Sequence, residues 1–189
     1  MIRVPGARAW GIVMAFALAG CAPGVDENLY GGVSYRDQSA PIGVSSRYDY
    51  EKMRGLWFIR QLTPDDLAST RVFFFEGEDG GDRVNEVRRA CQGKPDGRSC
   101  LIEYVIDDTS SGALSLHRVG PGADREFVVH WVDDRHRTMA VGAANGRYAW
   151  VLDRSSDGGE DRIKAALEIL DFYGYDTSVM QAKERERLQ

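Results

Sequence analysis

The sequence predicts an all-β domain of eight short strands followed by one C-terminal amphipathic helix. Three observations carry that prediction. Residues 147–153 alternate strictly: Tyr148, Trp150 and Leu152 fall on one face, Ala149, Val151 and Asp153 on the other. A period of two is the mark of a strand. Seven further stretches upstream are strand-prone, and the turns between them hold Gly, Asp, Ser and Pro with no helical pattern. Such even spacing argues for a sandwich or a barrel. Beyond the last strand the apolar period changes to that of one amphipathic helix. At 189 residues the chain can form one domain with a real core.

The N-terminus reads as an address. Arg3 and Arg8 precede an apolar stretch over residues 10–18, and then comes Leu18-Ala19-Gly20-Cys21. A basic start, a short apolar run and small residues before a cut describe a secretory signal over residues 1–20. The run is too short to span a bilayer. The tetrapeptide resembles the bacterial lipobox, which implies that Cys21 becomes the lipidated first residue of the mature protein. Several acyl chains on one residue anchor stably. Ala22 after the cysteine favours, by the same resemblance, the outer membrane, with the domain facing the periplasm. Residues 21–47 hold Pro23 and Pro41 and show no period, so they read as a flexible tether.

The strands are expected over residues 57–62, 70–76, 82–90, 100–106, 112–119, 125–132, 137–142 and 147–153. Residues 70–76 read T-R-V-F-F-F-E, β-branched and aromatic. Asn145-Gly146 signals a two-residue hairpin, since a type I′ turn needs φ > 0 at both central positions. Ser156-Asp157 offers a helix N-cap, with Glu160 placed as in a capping box. Ile163, Ala166, Leu167 and Leu170 then share one helix face, and Gly174 is the expected C-cap. Residues 181–189 are highly charged and read as a solvated tail, which leaves 48–180 as the domain.

Residues 142–154, G-A-A-N-G-R-Y-A-W-V-L-D-R, resemble without a gap the G-x-P-x-x-x-Y-L-W-I-L-S-R segment of lipocalins, especially bacterial lipoprotein lipocalins and their apolipoprotein D relatives. Residues 48–57 are similar to the F-D-x-x-x-x-x-G-x-W entry of that family, and residues 173–177 to its G-Y-D-T after the helix. The three matches are collinear. Ala144 replaces a usual Pro, Phe58-Ile59 a usual Tyr-Glu, and Arg135-His136 fall where a Tyr usually follows the Asp. The resemblance decides barrel over sandwich: an eight-stranded antiparallel up-and-down lipocalin barrel, wide enough for one small ligand, with the C-terminal helix packed outside.

The resemblance also implies roles. Gly55 and Trp57 sit at the barrel floor with Arg154 across it, in a cation–π contact worth roughly 0.5–2 kcal/mol. Tyr148 and Trp150 share the face of Leu152 and Arg154 and are expected to line the cavity. Phe73 and Phe75, rather than Val72 and Phe74, are expected to join them, with Tyr104 and Trp131. The implied ligand is small and hydrophobic, of the fatty acid or lysophospholipid class, bound for envelope lipid storage or transport. Cys91 and Cys100 flank a turn-rich loop and are expected to pair in an oxidising compartment, which contributes roughly 2.5–3 kcal/mol.

Other chemistries find less support. Net charge is −5, which argues against nucleic acid as a partner. His117, His130 and His136 lack metal-ligand spacing, and no cofactor is expected. No G-x-S-x-G occurs; Ser110-Ser111, Ser155-Ser156 and Asp133-Asp134 read as turns. Gly80-Gly81 and Gly158-Gly159 lack the Lys-Ser/Thr of a phosphate loop. An enzyme, with Glu103 or Tyr104 as an interior acid or base, is the weaker alternative. An adaptor with a filled barrel and an apolar outer patch is the stronger one. A homodimer stays open.

Overall fold

The structure is a computed structural model that describes residues 33–89 and 99–183. The expected signal, Cys21, residues 22–32, Cys91 and residues 184–189 lie outside the described residues. A one-turn helix α1 (Tyr50–Met53) leads into β1 (Gly55–Leu62). Then follow β2 (Ser69–Glu76), β3 (Asp82–Arg88), β4 (Cys100–Ile106), β5 (Ala113–Arg118), β6 (Arg125–Val132), β7 (Thr138–Gly142) and β8 (Ala149–Asp153). Each pairs antiparallel with the next, and β1 pairs with both β2 and β8, so the sheet closes into a barrel. Helix α2 (Glu160–Phe172) packs outside, and a two-residue β9 (Gln181–Ala182) adds to β1.

Register fixes the faces, because residues directly opposite in an antiparallel pair share one. Trp57 is opposite Val72, and Met139 opposite Leu152. Trp57, Val72, Phe74, Leu114, Phe127, Val129, Met139, Trp150 and Leu152 belong to one buried cluster inside the barrel. Strands β7 and β8 are buried at every residue. Their outward side chains, Ala140, Ala149 and Val151, form a second cluster with Ile163, Ala166 and Leu170 of α2. The alanines let the helix approach closely. Arg162 then pins it, donating from Nε to Thr138 Oγ1 (2.8 Å) and from Nη2 to Asp153 Oδ2 (3.0 Å).

Four expectations are corrected. Asn145-Gly146 is not a type I′ turn: Gly146 N–H donates to Ala143 O at 2.8 Å, so Ala144 and Asn145 are the central residues. Gly146 alone takes positive φ, +74°. A side chain there would strike Arg36 and Ser34, which cross the turn. Helix α2 has no side-chain N-cap; Gly159 precedes it at φ +76°, and Asp157 instead accepts from Gly158 N–H (2.8 Å). The tether is shorter than expected. Arg36 is only 8% exposed and donates to the carbonyls of Tyr173, Ala144, Ala40 and Pro41, fastening this segment to the barrel. Gln181–Ala182, expected in the solvated tail, pair with β1 because its edge is free there.

Candidate functional site

The barrel has a sealed end and an open one. At the sealed end Trp57 is fully buried and its Nε1–H donates to Met53 O of α1 (2.7 Å). The Arg154 guanidinium lies 3.8 Å from the Trp57 ring centroid. It donates to the carbonyls of Leu56 (2.9 Å), Lys52 (2.6 Å) and Arg54 (2.9 Å). Gly55 sits at φ +99°, a region that side chains rarely adopt, and an added Cβ would lie 3.2 Å from Arg154 Nη1. Burial lowers the Arg154 pKa to about 10, so it stays protonated at neutral pH.

Above the floor, side chains fill the barrel. Phe127 meets Phe74, Tyr148 and Trp150 edge to face, at centroid distances of 6.3, 5.9 and 5.2 Å. Rings in this arrangement contribute beyond their burial.

At the open end the interior turns from apolar to charged. The loop between β1 and β2 makes one 3₁₀ turn, Pro64–Asp66, and drops Asp66 into the mouth, where it is 5% exposed. Arg125, the first residue of β6, donates to both Asp66 oxygens, Nη1 to Oδ2 (2.9 Å) and Nη2 to Oδ1 (2.8 Å). Trp150 Nε1–H also donates to Asp66 Oδ2 (3.1 Å). On its other edge Arg125 Nε donates to Tyr104 Oη (3.2 Å) and lies 3.3 Å from Glu86 Oε2. Its cationic face covers Tyr148 (4.8 Å) and Trp150 (5.2 Å). Ser69 Oγ–H donates to Glu86. Burial alone would lower the Arg125 pKa, but the Asp66 bond and the charges of Asp66 and Glu86 outweigh it and hold it above the ordinary value. The buried phenols of Tyr104 and Tyr148 are pushed up, first by burial and then by neighbouring carboxylates offset in part by Arg125. Both therefore act as hydrogen-bond donors at neutral pH.

A cavity of about 330 Å³ opens over this network. Its walls carry the arginines 88, 118, 125 and 147, the rings of Tyr104 and Tyr148, and the acids Asp65, Asp66, Asp124 and Glu126. The arrangement can orient an anionic group against a guanidinium and rest an apolar group on two rings. Among the described residues, its lining holds no Ser, Thr or Cys.

Of the residues singled out from sequence, Tyr104 and Tyr148 line this cavity and Trp150 lies just beneath it. Phe73, Phe75 and Trp131 do not face the interior. Phe73 is 41% exposed and stacks on Phe75 outside the wall (5.6 Å), while Val72 and Phe74 point inward opposite the Trp57 register. Trp131 follows a register shift between Val129 and itself, so it sits opposite Ala140 and packs under α2. Glu103 is on the outer face, bonded to Arg83. His117 (on Asp107 and Asp124), His130 (on Gly43 and Tyr175) and His136 (on Arg47) lie apart. Sequence reasoning missed Asp66, Glu86 and Arg125. Two of them left a signal: Glu86 shares the inward parity of Val84, and Arg125 that of Phe127.

No protein-family model and no curated protein sequence matches the chain. Solved structures do. Lobster apocrustacyanin A1 superposes with a TM-score of 0.56 at 14% identity, covering 74% of this chain and 81% of that one. The cockroach allergen Per a 4 gives 0.57 at 14%, with 79% and 97% covered. Insecticyanin from the tobacco hornworm Manduca sexta gives 0.56 at 13%, with 82% and 88% covered. The fold is that of the lipocalins: a closed eight-stranded antiparallel barrel with a C-terminal helix outside.

Proposed function

We propose that this chain is a bacterial lipoprotein lipocalin that binds a small anionic amphiphile in the mouth of its barrel. The observation that carries the reading is the mouth cavity, where arginines and tyrosine rings overlie an apolar, aromatic interior. A carboxylate or phosphate head would pair with guanidinium, whose planar donors match oxyanions. The apolar part would bury against Tyr104 and Tyr148. At about 330 Å³ the cavity is near the lower end of the roughly 300–1,000 Å³ typical of small-molecule sites. That size favours a fatty acid of short or medium chain over a bulkier lysophospholipid, because side chains occupy the barrel below.

In this reading Cys21 carries the lipid anchor and residues 22–32 are the remaining tether. The domain faces the periplasm from the outer membrane and serves envelope lipid storage or transport. Cys91 and Cys100 pair in that oxidising compartment. Native mass spectrometry of the protein purified from its own host tests the ligand. A bound species of acyl-lipid mass, released when Arg125 is replaced by Gln, is the expected result. A protein that emerges empty and ignores added fatty acids would overturn it.

A second reading, an envelope adaptor, draws on the outer face of β1–β4. Leu56, Phe73 and Leu101 are 39%, 41% and 66% exposed there, while among the described residues helix α2 packs on β6, β7 and β8. Crosslinking in the host envelope that traps a partner at these positions would favour it.

A further inference from the structure

We propose that the Nη edge of Arg125 is a carboxylate subsite that the chain itself occupies, with Asp66 standing in for the acid head of a ligand. The inference rests on the mouth-site reading above and concerns how that site is regulated.

Arg125 splits its donors between two kinds of partner. Nε faces the barrel wall, with Tyr104 Oη at 3.2 Å and Glu86 Oε2 at 3.3 Å. Both partners stand on strands, β4 and β3, so that edge is fixed. Nη1 and Nη2 face the mouth and hold Asp66 through two parallel bonds of 2.9 and 2.8 Å. This is the fork-to-fork geometry that a guanidinium offers any carboxylate. Trp150 Nε1–H at 3.1 Å adds a third donor to the same oxygens. A carboxylate in the place of the Asp66 group therefore meets three preset donors, over rings that already support the cation.

Asp66 belongs to no strand. It ends a single 3₁₀ turn, and its neighbours Asp65 and Leu67 are exposed. The turn is closed by two long bonds, Asp66 N–H to Thr63 O at 3.2 Å and Leu67 N–H to Pro64 O at 3.4 Å. Thr63 is buried and tied to β8, with its N–H donating to Ala149 O (3.1 Å). The loop thus has a firm base at Thr63, and its tip is held by the Asp66 carboxylate together with Lys183 Nζ–H on Leu67 O, Arg89 N–H on Ala68 O and Arg88 Nη2 at 3.9 Å from Asp66 Oδ1. Both Asp66 and Arg125 border the mouth cavity, so an incoming acid reaches the bonds it must replace. Exchange of one carboxylate for another leaves Arg125 paired throughout, which avoids the large cost of a bare buried charge. An uncharged amphiphile cannot make that exchange. The loop then acts as a selectivity gate that opens for acids.

The test compares decanoate with decanol by calorimetric titration of the purified protein and of Asp66→Asn. While Asp66 is docked, the subsite is competent only part of the time, and the apparent affinity falls by that fraction. The substitution should therefore raise decanoate affinity roughly tenfold or more while changing decanol little. Unchanged or weaker decanoate binding overturns the proposal, even if both probes bind and the mouth-site reading stands. Failure of both probes on both proteins sinks that reading too. A gain for decyl phosphate alone overturns the carboxylate assignment. Should Asp66→Asn not fold, amide exchange on the unaltered protein decides. Faster exchange at Asp66 and Leu67 with decanoate but not decanol supports loop release, and equal exchange contradicts it.

Discussion

Two arginines cap opposite ends of this barrel, each against aromatic rings, and they are held in opposite ways. Arg154 at the floor is fastened by three backbone carbonyls and the face of Trp57. Arg125 at the mouth is fastened by carboxylates and a phenol, one of the carboxylates on a surface loop. Backbone carbonyls cannot leave without unfolding the element they belong to. A loop carboxylate can. The same residue type over the same ring chemistry therefore makes a permanent seal at one end and an exchangeable contact at the other.

A large loss is expected at Arg125. Arg125→Gln takes the two-bond partner from buried Asp66 and leaves Arg88 as the remaining guanidinium beside both Asp66 and Glu86, and it should destabilise the fold by about 3 kcal/mol in denaturant unfolding. The double variant Arg125→Gln/Asp66→Asn should recover part of that loss, because the under-compensated buried charge of Asp66 is gone. Next comes the waist between the two ends. Phe74→Ala should cost about 3–4 kcal/mol, against less than about 1 kcal/mol for Phe73→Ala, one residue away but outside. At the floor, Arg154→Gln loses the cation–π contact and charged donors to three carbonyls, for about 2–3 kcal/mol. Its unfolding should shift without any change in decanoate affinity.

A separate effect is a pH dependence set on the outer wall. His130 is stacked on Tyr173 (4.7 Å), bonded to Gly43 O and Tyr175 Oη, and faced by Arg36. Burial, first, and then the Arg36 charge lower its pKa from 6.5 to about 4. Across that window the unfolded chain binds more protons than the folded one, so stability rises with pH. The contribution is present above about 6.5 and is lost as pH falls toward 4. Thermal unfolding followed through that range should show it, and His130→Phe should flatten the profile.

The sequence carried the strands because period two repeats along nearly every one, and the end pair because Trp57 and Arg154 share a legible motif. It carried the floor better than the mouth for a physical reason. The floor is built from strand residues and a turn next to them, while the mouth is completed by Asp66, from a loop with no period. Arg125 and Glu86 were readable as charges on inward parity, set beside Phe127 and Val84. The choice of Phe73 over Phe74 was readable too, since Arg71 shares the face of Phe73 and marks it as outward. Trp131 was not: a register shift after Val129 reverses its face, and the stretch Val129-His130-Trp131 carries no Gly or Pro to mark the bulge.

In this molecule the mouth arginine exchanges its partner and the floor arginine does not. Arginine side-chain NMR, following the guanidinium resonances of Arg125 and Arg154 as decanoate is added, tests it most directly. The Arg125 signals should move and saturate while those of Arg154 stay in place. Arg125 signals that stay fixed, or that move only together with Arg154, would contradict it.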